Sequence, residues 1–206
     1  MPLIGPIGRI RRIGPIKSAF SRPYEMKVLL HICCAPCTIY PLKVLRGEGH
    51  EVRGFFYNPN IHPYTEFRKR LDTVLAYAAV SLLPVGVDDA YDVEAFLNAA
   101  LPLGKDRCLA CYRMRLDRAF AEARDQGAEA LTATLLYSQY QRHEDLAAVA
   151  EELSAKHHIP FLYMDFRDGW KEGQEESRRL GLYRQQYCGC IVSEQERFRG
   201  RHAGPR

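Results

Sequence analysis

Val28-Leu29-Leu30-His31-Ile32-Cys33-Cys34-Ala35-Pro36-Cys37 decides the architecture. Its first half is an apolar, β-branched run, the pattern of a buried strand. Its second half places three cysteines within five positions, where a following helix should begin. In an open parallel sheet, ligands sit outside the carboxyl ends of the strands. Four more cysteines fall far downstream in two close pairs, Cys108/Cys111 and Cys188/Cys190. The expectation is that folding gathers these groups around the end of this strand.

Working outward, strands and helices alternate. Lys27–Ile32 reads as strand one, and Thr38–Glu48 as a helix with Ile39, Leu42 and Leu45 on one face. Val52–Tyr57 reads as strand two. Asn58-Pro59-Asn60-Ile61-His62-Pro63 is a turn-rich loop, because two prolines bar a helix and asparagine favours turns. Tyr64–Ala79 is helical, Leu82–Val87 is strand three, and Tyr91–Ala100 is a short helix. A longer helix over Arg107–Gln126 should end at Gly127. Ala130–Leu136 is strand four, Glu144–His157 a helix, and Phe161–Phe166 strand five. A polar helix over Trp170–Leu180 leads to Tyr183–Cys190 and a basic tail. Alternating strands and helices imply right-handed crossovers and an α/β, Rossmann-like, open and mostly parallel sheet flanked by helices. One catalytic domain should span residues 26–200, between a basic leader at 1–25 and a basic tail at 201–206.

The net charge of +4 is unevenly placed. Arg9, Arg11, Arg12, Lys17 and Arg22 oppose only Glu25 in the leader, which leaves 24 residues of each sign in the remainder. Any nucleic-acid contact is therefore expected as a local patch rather than a whole basic face. The leader repeats Ile-Gly-Pro-Ile at 4–7 and 13–16 and shows neither helical nor strand periodicity. It reads as a disordered segment, or as a mis-assigned start with translation beginning at Met26. No apolar run approaches the roughly 20 residues needed to span a bilayer, so no membrane partner is expected. Seven cysteines, an odd number, without a secretory signal point to the reducing cytoplasm. There, clustered cysteines more often bind metal or carry redox chemistry than form structural bridges.

Cys108 and Cys111 stand at i and i+3 on a helix, so both thiols face one side. Such a pair can grip zinc, an iron–sulfur cluster or a disulfide. Cys33 and Cys34 can reach one ligand only if the backbone turns there, and Ala35-Pro36 supplies a turn. Four thiolates suit either zinc or a 4Fe–4S cluster. In Cys188-Gly189-Cys190 a disulfide would close a very small, strained and labile ring, which suits a reversible dithiol. Two independent buried cysteines are the plainer alternative. Cys37 is a candidate further metal ligand, an accessory thiol or an ordinary helix-start cysteine. His31, His62, Tyr64, Arg68 and Lys69 are secondary candidates. Tyr183-Arg184-Gln185-Gln186-Tyr187 has the composition of a base-stacking surface. Walker, dinucleotide and H-E-x-x-H motifs are absent, and no Ser-Gly-Gly-type pyrophosphate loop follows strand one, so ATP chemistry has no support.

The segments His31–Cys37, Phe55–Pro63, Cys108–Tyr112, Asp165–Arg167 and Tyr183–Cys190 together resemble the QueH-type epoxyqueuosine reductases. The resemblance runs from about Lys27 to Arg197. It implies reduction of epoxyqueuosine, at the wobble position of a tRNA anticodon, to queuosine. By the same resemblance, Cys33, Cys34, Cys108 and Cys111 would hold a 4Fe–4S cluster, and Cys188 and Cys190 would be the redox-active pair. A further iron ion beside the cluster is also implied, with Cys37, Asp165 and His31 as candidate ligands. Asp165 and Tyr187 are candidate proton donors to the departing oxygen. An electron donor, not identified by the sequence, completes the partners. The competing reading is a zinc-stabilised RNA-binding module without catalysis.

Overall fold

The computed structural model describes residues 25–199. The leader and the basic tail lie almost wholly outside the described residues. Strand β1 (Lys27–Ile32) is the centre of the sheet, and its last five residues are buried. A strand covered on both faces must be apolar throughout, which is why it is legible as an uninterrupted run. Strand β2 (Glu51–Phe56) and strand β4 (Ala130–Ala133) flank it, both parallel. Strand β3 (Val85–Val87) joins the outer side of β2, giving the order β3-β2-β1-β4, parallel throughout.

That order has a functional consequence. The chain builds outward from β1 to β3, then crosses back to place β4 on the other side of β1. The reversal opens a crevice at the carboxyl ends of β1 and β4, where open α/β sheets place their ligands. Helix α1 (Ala35–Gly47) packs on α2 (Tyr64–Ser81) and on α6 (Trp170–Arg179). Helix α4 (Arg107–Asp125) packs on α3 (Val93–Ala100) and on α5 (His143–His157). One continuous core joins Leu42 and Leu45 of α1, Leu116 and Phe120 of α4, and Leu146 and Leu153 of α5 to the sheet. Helix α7 (Ile191–Arg199) closes the described residues, where the sequence reading places no element. No helix among the described residues is long and apolar enough to cross a membrane.

Three expected boundaries move for local reasons. Helix α1 begins at Ala35, not Thr38, because Pro36 occupies the first turn, where a missing N–H breaks no hydrogen bond. Strand β3 loses its first residues because α2 runs on to Ser81 and ends at Leu82, in the left-handed conformation. The expected fifth strand over Phe161–Phe166 does not form. Only an isolated parallel bridge from Leu131 to Phe161 remains. Pro160 has no N–H to give a ladder, and β4 ends at Ala133 in a 3-10 turn, Thr134–Tyr137.

Candidate metal and redox centre

The chain turns sharply where β1 ends. Cys33 follows the strand directly, Cys34 is the N-cap of α1, and Cys37 lies in its first turn. The early helix start therefore puts Cys34 and Cys37 three residues apart on one side. The sulfurs of Cys33, Cys34 and Cys37 all lie within 4.8 Å of one another. Thr134, just past β4, ties the crevice together. Its hydroxyl accepts from the Cys33 amide at 2.9 Å and donates to Cys33 Sγ at 3.2 Å. Hydrogen bonds from the Cys34 and Cys37 thiols, helped by Arg115 and Thr134, hold Cys33 well below the usual thiol range. Burial pushes Cys34 up, and the interaction with Cys33 pushes Cys37 up. Three close sulfurs, with the thiolate favoured at Cys33, thus sit at a helix N-terminus, which favours anions.

Cys108 and Cys111 occupy the first turns of α4, across the crevice. Burial pushes Cys111 up to about 12, and burial followed by the neighbouring Cys188 raises Cys108. The link between the two sides is Arg115, one turn beyond Cys111. Its guanidinium lies 3.9 Å from Cys111 Sγ and donates to Asn58 Oδ1 at 2.7 Å. Asn58 in turn donates to the carbonyl of Ile32 at the end of β1, at 2.9 Å.

Residues 183–190 form a strap across this crevice. Gln185 Nε2 donates to Cys34 Sγ at 2.9 Å and reaches Cys37 Sγ at 3.7 Å. Arg70, buried on α2, donates to the carbonyls of Cys188 at 2.8 Å and Tyr187 at 3.0 Å. Its Nε donates to Glu66 at 2.8 Å, whose other oxygen accepts from Tyr183. The Tyr187 hydroxyl donates to the carbonyl of His62, and the His62 amide donates to the carbonyl of Gly189 at 2.9 Å. So anchored, the strap presents Cys188 at the surface, 3.3 Å from the amide nitrogen of Gln141. Tyr112 orients that amide by donating to its oxygen at 2.9 Å. Cys190 precedes α7 and accepts from the Ser193 amide at 3.4 Å. It packs in the same small apolar cluster as Cys111, Phe96 and Met114. All seven cysteines are free thiols.

Gly189 makes this strap possible. Its φ is +154°, and an added Cβ would sit 2.8 Å from Asn60 Nδ2 and 3.3 Å from Ile61 Cγ1. Gly189→Ala is expected to cost about 1–3 kcal/mol of local stability and loosen the strap. The check is faster alkylation of Cys188 together with a lower thermal midpoint; an unchanged rate would contradict it.

Other candidates take different places. Asp165 lies in an irregular segment rather than at a strand end. It is exposed and doubly bonded to Arg167, at 2.8 Å from Nε and 2.5 Å from Nη2. Those bonds hold its carboxyl below the usual range, so it is a carboxylate rather than a ready acid. Tyr187 is committed to His62, and burial pushes it up to about 12. His31 is fully buried on β1, bonded to the carbonyl of Tyr57 at 3.0 Å, and burial lowers it to about 3. His62 is a structural residue of the loop, bonded to the carbonyl of Pro59 at 3.1 Å. Arg68 pairs with Asp72, and Lys69 lies over the Tyr183 ring. Arg70, Arg115, Thr134, Gln141 and the specific part played by Gln185 carry no motif, and sequence reasoning misses them.

Comparison with known proteins identifies the family. The family model described as epoxyqueuosine reductase QueH matches residues 28–196. The epoxyqueuosine reductase QueH of Dehalococcoides mccartyi is 36% identical over 172 residues, 84% of this chain and 94% of that protein. That of Thermotoga maritima is 35% identical over 185 residues, 85% of this chain and 94% of that one. Among solved structures, the U34-tRNA thiolase NcsA of Methanococcus maripaludis, solved with its 4Fe-4S cluster, superposes with a TM-score of 0.52 at 13% identity. The match covers 87% of this chain and 68% of that one. A predicted subunit of a tRNA methyltransferase from Methanocaldococcus jannaschii gives 0.51 at 11% identity, over 74% of each chain. These two likenesses speak to the fold, an α/β open sheet, as expected from the strand pattern. With the family model covering most of the chain and relatives above one-third identity over 94% of their length, this protein belongs to the epoxyqueuosine reductase QueH family.

Proposed function

We propose that this chain reduces the epoxide of epoxyqueuosine in the anticodon of a tRNA, giving queuosine and water. The observation that carries the reading is the strap. It lays Gln185 on Cys34 Sγ at 2.9 Å, sets Cys188 against Gln141 at 3.3 Å and packs Cys190 in one apolar cluster with Cys111, which supports a common site for the two sulfur sets. The donor set fits a thiolate-bound metal group. Three sulfurs converge within 4.8 Å, and a buried arginine faces sulfur rather than carboxylate. Cys33 and Cys34, with Cys108 and Cys111 of α4 from outside that group of three, are the residues that would hold a 4Fe–4S cluster, and Cys37 is a further sulfur beside Cys33 and Cys34. When bound, such a cluster supplies single electrons and a Lewis-acidic iron.

The chain's own residues account for the remaining demand. Opening the epoxide to the alkene takes two electrons and two protons and releases one water. Cys188 and Cys190, closing from dithiol to disulfide, give up two electrons and two protons. The balance therefore needs no additional acid, which agrees with the committed states of Asp165 and Tyr187. The disulfide must then be reduced by an external donor before the next turnover. A wobble base belongs to a single-stranded loop, so it enters such a crevice without melting a duplex.

The test is turnover of tRNA carrying epoxyqueuosine by anaerobically purified protein. Conversion to queuosine by iron-loaded protein is expected. A zinc-loaded, iron-free protein that is fully active would overturn the cofactor assignment. RNA binding without any conversion by the loaded protein would favour a binding module instead.

A further inference from the structure

Two arginines in this fold are equally buried, each 2% exposed, and they are treated differently. Arg70 has a carboxylate, Glu66, at 2.8 Å. Arg115 has none among the described residues. Its polar contacts are the neutral Asn58 amide at 2.7 Å and the sulfur of Cys111 at 3.9 Å, and its Nε meets no partner. A guanidinium stays protonated in a protein. A full positive charge therefore sits in the interior without an oxygen anion to offset it, an arrangement folds otherwise avoid.

The groups around that charge are sulfurs. Cys111 and Cys33, on opposite sides of the crevice, and Cys188 on the strap all act on Arg115 electrostatically. Asn58 holds the guanidinium in place, because its amide is itself fastened to the Ile32 carbonyl at the end of β1. The position is thus fixed relative to the sheet rather than left to a flexible side chain. Four thiolates around a cluster give a net negative group, and an added electron makes it more negative. A fixed cation beside it favours the reduced state, more so in a dry interior than in water.

We propose that Arg115 is the built-in countercharge of the sulfur-bound group, a positioning residue that raises its reduction potential. This rests on the cluster reading given above and assigns a role to a residue outside every cysteine motif. Arg115 touches neither substrate nor electron donor in this role; it acts through the charge it sets on the sulfurs.

The experiment is a spectroelectrochemical titration of the anaerobically loaded wild type, Arg115→Met and Arg115→Lys. Arg115→Met is expected to shift the one-electron reduction equilibrium about tenfold toward the oxidised form, about 59 mV lower in potential. Arg115→Lys keeps the charge and is expected to stay within about threefold of wild type. Retention of the cluster by Arg115→Lys but not by Arg115→Met also supports the proposal. An unshifted potential in loaded Arg115→Met overturns it. So does a shift in Arg115→Lys as large as that in Arg115→Met, since charge would then not be the agent. If neither variant folds by circular dichroism, Arg115 is a packing residue and the proposal falls. A wild type that takes up no iron–sulfur cluster sinks the underlying reading and this proposal with it. A loaded wild type beside an unshifted Arg115→Met sinks this proposal alone.

Discussion

Cys188→Ser and Cys190→Ser are each expected to remove epoxide reduction by roughly 10³-fold or more, with iron content unchanged. The size follows from the electron balance. A serine cannot close a disulfide, so the pair can no longer deliver two electrons, and loss of either partner disables both. The unchanged iron follows from placement. Cys188 is at the surface beside Gln141, and Cys190 accepts from the first turn of α7, which suits a dithiol separate from the four proposed ligands. The two variants should therefore be about equally inactive. A variant that kept most of its turnover would remove the dithiol from the mechanism.

The largest stability effect is expected at Arg70. Its guanidinium fastens the strap through the carbonyls of Tyr187 and Cys188, and it neutralises the buried Glu66. Arg70→Met strips two strap carbonyls of their donor and leaves a carboxylate buried with only Tyr183 beside it. Breaking a buried pair in this way costs about 3–5 kcal/mol. Denaturant unfolding of Arg70→Met measures it. The double variant Glu66→Gln with Arg70→Met should recover part of the loss, because the uncompensated charge is gone. A single-variant loss below about 1 kcal/mol would mean that the strap is held by other contacts.

Much of this was legible in the chain because it depends on local pattern. β1 reads as a strand from Lys27 to Ile32 because burial on both faces demands an apolar residue at nearly every position. Tyr64 starts α2 as expected, just after the proline-rich loop. The elements that differ were decided by contacts no window of sequence contains. Phe161–Phe166 has strand composition, yet with Pro160 in front and β4 only four residues long it makes a single bridge. Leu82 looks like the start of β3 but caps α2 instead. The same holds at the site. Paired cysteines announce themselves by spacing, whereas Gln185 meets Cys34 across 151 positions and Arg115 meets Asn58 across 57. Asp165 was legible only by its motif. The bonds to Arg167 that make it a settled carboxylate appear only in three dimensions.

The most direct measurement is iron and acid-labile sulfide in anaerobically purified protein, compared across single Cys→Ser variants. Wild type should carry about four irons per chain. Cys33→Ser, Cys34→Ser, Cys108→Ser and Cys111→Ser should each lose most of them, while Cys188→Ser and Cys190→Ser keep the full complement. Iron retained without Cys108 and Cys111, or lost with Cys188, would contradict two sulfur sets with separate tasks meeting in one crevice.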